Sequence, residues 1–185
     1  MSAVLRATRR TFSTLRVRNF RLYFVGQGIS VSGTWMQSVA QSWLILDLTG
    51  SGLMLGITIA LQFLPMLLIG PWGGLVVDRS SKRKVLFITQ AAGGLLALTL
   101  ALITMFGRPH VSTVLALAFG LGIVNLFDNP ARQSFVQEMV GRDLLPNAVS
   151  LNSVLMNAGR AIGPSLAGIA IAVAGISAAF FVNAT

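Results

Sequence analysis

Apolar residues run along this chain in long blocks, separated by short polar breaks. A helix needs about 20 mostly apolar residues to cross the hydrocarbon core of a bilayer. Blocks of that order occupy 22–46, 53–77, 85–106, 111–127 and 148–174, and a sixth opens at 176 and runs to the last residue, 185. That final stretch is too short to cross. The pattern predicts an all-α membrane protein with five spans and the start of a sixth, and a chain cut from a longer parent within its sixth helix. The stretch 128–147 breaks the rhythm. There Phe135, Met139, Leu144 and Leu145 alternate with Arg132, Gln133, Glu138, Arg142 and Asp143, which predicts a loop carrying a short amphipathic segment on the membrane surface.

Composition agrees with the pattern. The chain is 54% hydrophobic and 10% charged, more apolar than a soluble domain of 185 residues can hide. The formal net charge of +9 would suit a nucleic-acid binder, but the basic residues sit at the ends of apolar blocks, as membrane anchors do, so no nucleic-acid partner is expected. With no cysteine there are no disulfides, thiolate metal sites or cysteine nucleophiles. The first block has no small-residue cleavage site and reads as a retained span rather than a leader.

Charge position gives the expected topology. Arg6, Arg9, Arg10, Arg16, Arg18 and Arg21 precede the first block, in a basic arm over 1–21 that contains no acid. Arg79, Lys82, Arg83 and Lys84 fill the second loop, and Arg132 and Arg142 lie in the fourth. The first and fifth loops have no Lys or Arg, the third has only Arg108, and Arg160 falls inside a block. The positive-inside rule then places the N-terminus in the cytoplasm, with the protein multi-pass in a plasma (bacterial inner) membrane.

Polar residues within spans are costly and face a bundle interior or a water-filled path. Gln27, Ser30, Thr34, Gln37 and Gln41 recur every three or four residues and share one helix face; Gln62, with Thr58, does the same in the second span. They either wall a substrate cavity or bond helices together. Asn157 and Arg160 share a face of the fifth span, where Arg160 either meets an anionic or proton-linked partner or snorkels to the surface. Pro65 and Pro71 should bend the second span. Gly159, Gly163 and Ala167 repeat every four residues, a face for close helix approach, and Gly163-Pro164 adds a kink before Gly168. No soluble catalysis is expected. His110 has no metal partner at ligand spacing, and neither a nucleophile elbow nor a phosphate loop is present, so no enzyme activity, cofactor or ATP-driven step is predicted.

The second loop, Gly74-Leu75-Val76-Val77-Asp78-Arg79-Ser80-Ser81-Lys82-Arg83-Lys84, resembles the signature between helices two and three of the major facilitator superfamily. Gly74, Asp78, Arg79, Lys82 and Arg83 match it position by position, with Ser81 where glycine is usual. Gly163-Pro164 with Gly168 resembles, in looser form, the fifth-helix signature of the antiporter branch. The fourth-helix arginine of many proton-coupled members has no counterpart in 111–127. Asn19-Phe20-Arg21, Gly33-Thr34-Trp35-Met36-Gln37, Leu48-Thr49-Gly50-Ser51 and Asn129-Pro130-Ala131-Arg132-Gln133 are similar to the enterobactin-exporter-like (transmembrane secretion effector) subfamily.

The resemblance implies the N-terminal six-helix half of a secondary active transporter that exports siderophore- or drug-like small molecules, coupled to protons, by alternating access between two halves. That two-half architecture is a general property of the superfamily. It implies that Asp78 latches a cytoplasmic gate by docking on a helix N-terminus of the missing C-terminal half, where the dipole favours a carboxylate. It also implies that the basic residues after Asp78 pair with Asp128. Asp47, Asp78 and Asp128 all lie near span ends, so a proton-carrying site is one of them or belongs to the missing half. The other expectation is a non-transporting membrane remnant of such a transporter. Lipid and a small-molecule substrate are the remaining expected partners.

Overall fold

The computed structural model describes residues 14–15, 17–107 and 109–184, except for the side chains at 142 and 143. Arg6, Arg9, Arg10, Arg16, Arg108, Thr185 and the side chain of Arg142 therefore lie outside the described residues. Every element among those described is helical: α1 (Arg18–Thr49), α2 (Gly52–Asp78), α3 (Lys82–Phe106), α4 (Val111–Gly141), α5 (Leu144–Ala174) and α6 (Ile176–Ala184). By length and composition α2, α3, α4 and α5 can each cross a membrane. At 32 residues α1 has ample length, but it carries the row of amides and hydroxyls and is not among those four.

The connections follow local chemistry. Gly50 closes α1 at φ 60, a left-handed angle that glycine adopts without a Cβ penalty, and its N–H bonds Leu46 O at 2.8 Å. One residue later Ser51 caps α2, its Oγ accepting from Met54 N. Within α2, Ile69 leaves helical geometry (φ −128, ψ 18) between Pro65 and Pro71, where each proline removes a backbone donor.

The loop expected at 128–147 is not there. The helix that begins at Val111 passes through Asp128-Asn129-Pro130 and runs on to Gly141, so the fourth element is 31 residues long and the fifth starts at Leu144. Polar residues and a proline look like a stop, but a proline in a helix is tolerated where tertiary contacts hold the turn. Here Val136 and Val140 are buried against Phe20 of α1 and against Ala148 and Leu151 of α5. The true break is Gly141 (φ 71, ψ 173). At Gly163-Pro164 the fifth helix continues with helical backbone angles.

Two apolar clusters hold the bundle. Near the α1–α2 connection, Met36, Ala40, Leu44 and Ile45 of α1 pack with Leu100, Val114, Ala167 and Phe180 of four other helices. At the opposite end, beside the α2–α3 loop, Phe20 anchors the second cluster. Between them α5 crosses α1 at close range. A Cβ on Gly163 would lie 2.6 Å from Trp35 Cβ and 2.7 Å from Ser32 O, and one on Gly159 would lie 2.5 Å from Val31 Cγ1. The small-residue face thus sets the helix crossing, whereas Gly168 points to open space. Large apolar side chains such as Leu67, Phe87, Phe106 and Val173 stand exposed on the outside, as a lipid-facing surface requires.

Candidate functional site: a buried ion pair beside an inter-helix cavity

A cavity of about 900 Å³ lies among α1, α3, α4, α5 and the end of α6. Ser30, Thr34 and Gln37 line it from α1, Gln90 from α3, and Asp128 and Arg132 from α4. Of the amide row, then, these three positions reach the cavity. Gln27 lines a neighbouring hollow instead. Gln41 and Gln62 line neither; they are buried between helices. Ser38 Oγ donates to Gln62 Oε1 (2.6 Å), Gln62 Nε2 donates to Gln41 Oε1 (3.4 Å), and Gln41 Nε2 donates to Val114 O (2.9 Å). That chain ties α1, α2 and α4 together, the bonding alternative left open for these residues.

The polar centre of the cavity wall is the Asp128–Arg132 ion pair, made one helical turn apart on α4 by Nε and Oδ2. The two residues are only 4% and 5% exposed. Burying a charge costs several kcal/mol unless it is paired and hydrogen-bonded, and here neighbours complete the set. Thr89 Oγ1 and Gln90 Nε2 donate to Asp128 Oδ1 at 2.7 and 3.1 Å. Arg132 Nη2 donates to Ser30 Oγ at 3.0 Å, and Ser30 Oγ donates to Gln90 Oε1 at 2.7 Å. One pair therefore links α1, α3 and α4. Farther along the cavity Asn183 Nδ2 donates to Gln37 Oε1 at 2.5 Å, and Gln37 Nε2 has no partner among the described residues.

The α2–α3 loop is arranged differently from the expectation carried by the resemblance. Asp128 is saturated by Arg132, Thr89 and Gln90, so it is not the partner of the loop's basic residues. Lys82 Nζ instead bonds Asp78 O at 3.0 Å and approaches Glu138 Oε1 at 3.6 Å. The reason is the length of α4: its continuation to Gly141 carries Glu138 to the loop, while Asp128 stays inside. Asp78 and Arg79 are exposed, and Asp78 and Lys82 line a hollow of about 420 Å³ together with Ser134, Gln137 and Glu138 of α4. Gly74 is half-buried on α2, with nothing among the described residues near the place of a Cβ, and Arg83 lines the hollow that holds Gln27.

Asn157 and Arg160 lie away from both the cavity and the ion pair, exposed on one face of α5. The Arg160 guanidinium sits over the Trp35 ring of α1, 5.5 Å from its centroid, a cation–π arrangement. Asn157 bonds back to Ser153 O within its own helix. Sequence reasoning placed Arg132 in a loop and gave Thr89 and Gln90 no role. The signal was available in the Asp128-x-x-x-Arg132 spacing, which pairs opposite charges only if the segment is helical.

Comparison with known proteins matches the sequence to a family. Residues 9–185 match the family described as transmembrane secretion effector. The chain is 27% identical over 154 residues to the staphyloferrin A transporter of Staphylococcus aureus, covering 83% of this chain and 39% of that protein. It is 32% identical over 152 residues to the multidrug efflux pump Tap of Mycolicibacterium fortuitum (78% and 36%), and 24% identical over 158 residues to the enterobactin exporter EntS of Citrobacter koseri (85% and 38%). The chain thus spans about two-fifths of the length of these relatives. No solved structure matches. With its apolar helices and near-complete family match, the chain is a multi-pass membrane protein that belongs to the transmembrane secretion effector family of major facilitator transporters.

Proposed function

We propose that this chain is the N-terminal half of a secondary active exporter of small siderophore- or drug-like molecules, driven by protons, in a bacterial inner membrane with its N-terminus in the cytoplasm. The observation that carries the reading is the family match over 9–185, together with relatives named as a staphyloferrin A transporter, a multidrug efflux pump and an enterobactin exporter. In this reading Gly74, Asp78, Arg79, Lys82 and Arg83 form the cytoplasmic gate. The carboxylate of Asp78 is exposed and has no ion-pair partner among the described residues, as suits a group that docks on the other half. Asp128, held by Arg132, braces the helices behind the gate.

Substrate meets two surfaces. Ser30, Thr34 and Gln37 offer hydrogen bonds from α1, and Asn157 and Arg160 form a polar strip on α5, a poor surface for lipid and a good one for a water-filled path between halves. Gly159 and Gly163 keep α1 and α5 close enough to move as one body. The experiment is efflux from cells expressing the full-length protein with Asp78→Asn. Transport slows while membrane insertion is unchanged; efflux at the wild-type rate removes Asp78 from the gate.

A further inference from the structure

The basic cluster after Asp78 is divided between two sides of α3. Lys82 turns toward Glu138. Arg83 and Lys84 turn the other way and border a cavity of about 950 Å³ between α1, α3 and α4. Arg132 closes its inner wall, and no carboxylate among the described residues lines it. The first turn of α3 has no acidic residue, and Ser81 at its N-cap makes no side-chain cap bond, which leaves that end of the helix suited to an anion.

Two further donors point to a ligand. Gln27 is 4% exposed, and its Nε2 has no partner among the described residues; the buried Tyr23 Oη likewise has none among them. Both residues line this cavity. An unsatisfied buried donor costs about 1–3 kcal/mol, and two in one wall beside Arg83 and Lys84 describe a place built for oxygen acceptors carrying negative charge. The rim indicates the source of that charge. Phe87 and Ile88 are 76% and 64% exposed at the cavity mouth, and Leu95, Leu98 and Leu102 continue an exposed apolar stripe along the same helix. An acyl chain fits that stripe, whereas a free phosphate has no use for it.

We propose that the cavity between α1, α3 and α4 binds the phosphate headgroup of an acidic phospholipid, with the acyl chains along Phe87, Ile88 and Leu95 of α3. Arg83, Lys84 and the α3 N-terminus hold the phosphate, and Tyr23 and Gln27 supply hydrogen bonds from below. The site needs the α2–α3 loop to lie at a membrane surface and does not depend on what the protein transports.

The test is native mass spectrometry of the full-length protein released from nanodiscs of phosphatidylglycerol and phosphatidylcholine, with retained lipid counted. Wild type retains phosphatidylglycerol in preference. Each basic residue near a membrane surface is worth about 1 kcal/mol toward anionic lipid, so Arg83→Gln with Lys84→Gln lowers that preference about 30-fold. Arg79→Gln with Lys82→Gln leaves the preference largely intact, because a local site draws on Arg83 and Lys84 while Lys82 turns toward Glu138. Gln27→Leu also weakens retention. An equal loss from both double variants means general surface attraction and overturns the site. Displacement of the lipid by inorganic phosphate at equal concentration also overturns it, in favour of a soluble anion. The exposed Arg83 and Lys84 can be changed without touching the core, so folding does not confuse the result.

Discussion

Removing one member of the Asp128–Arg132 pair should be among the most damaging single changes to this bundle. Asp128→Ala leaves the Arg132 guanidinium, 5% exposed, with Ser30 Oγ as its remaining acceptor among the described residues, and strips Thr89 and Gln90 of the carboxylate they bond. Breaking a buried pair in this way costs about 3–5 kcal/mol, because one charge stays buried without its counter-charge. For a chain of this length a loss of that size lowers Tm by roughly 6–20 °C. Replacing both residues with apolar ones, Asp128→Leu with Arg132→Met, removes the stranded charge, and buried pairs so replaced are often neutral in stability. The double variant should therefore recover most of what the single variant loses. Thermal unfolding of detergent-purified protein, followed by circular dichroism, reads both. If Asp128→Ala lowers Tm by no more than about 2 °C, or if the double variant is as unstable as the single one, the pair does not hold α1, α3 and α4 together as argued.

Gly163→Val would place branched carbons against Trp35 and the Ser32 carbonyl, forcing α1 and α5 apart; an overpacking cost of about 1–3 kcal/mol should appear as lower Tm and lower yield, whereas Gly168→Val, facing open space, should cost far less. Gln41→Leu should reduce stability by about 1 kcal/mol and leave substrate affinity alone, since Gln41 bonds Val114 and Gln62 between helices; Gln37→Leu, at the cavity wall, should change affinity in a binding titration. The natural chain has no cysteine, so single cysteines report sidedness cleanly: Ser51→Cys should react with an impermeant maleimide in intact cells, and Ser80→Cys only in inverted vesicles.

Helix existence was legible because long apolar blocks have one interpretation. Helix ends were not. Asp128-Asn129-Pro130 has the local look of a terminus, yet α4 continues because Val136 and Val140 find Phe20, Ala148 and Leu151, contacts that only the folded bundle supplies. That single misreading hid the site. With 128–147 taken as a loop, Arg132 was one more surface charge, Glu138 had no route to Lys82, and Asp128 was left to the α2–α3 loop. The amide row on α1 turns inward, with Gln27, Gln37 and Gln41 buried, but periodicity cannot distinguish a cavity from a neighbouring helix. Gln37 and Gln41 are one turn apart on one face, and the first borders space while the second meets Val114. Arg160 was legible as an unusual charge within a span; its Trp35 partner was not, since the approach of the two helices depends on Gly159 and Gly163.

The central claim is that these helices are half of an export machine. It is tested most directly by reconstituting the full-length protein into liposomes and measuring the movement of a panel of siderophores and drugs under an imposed proton gradient. The account predicts transport of at least one amphipathic compound above protein-free liposomes, dependent on the gradient and reduced by Asp78→Asn. Protein that inserts fully yet moves none of the panel, with or without a gradient, would contradict it.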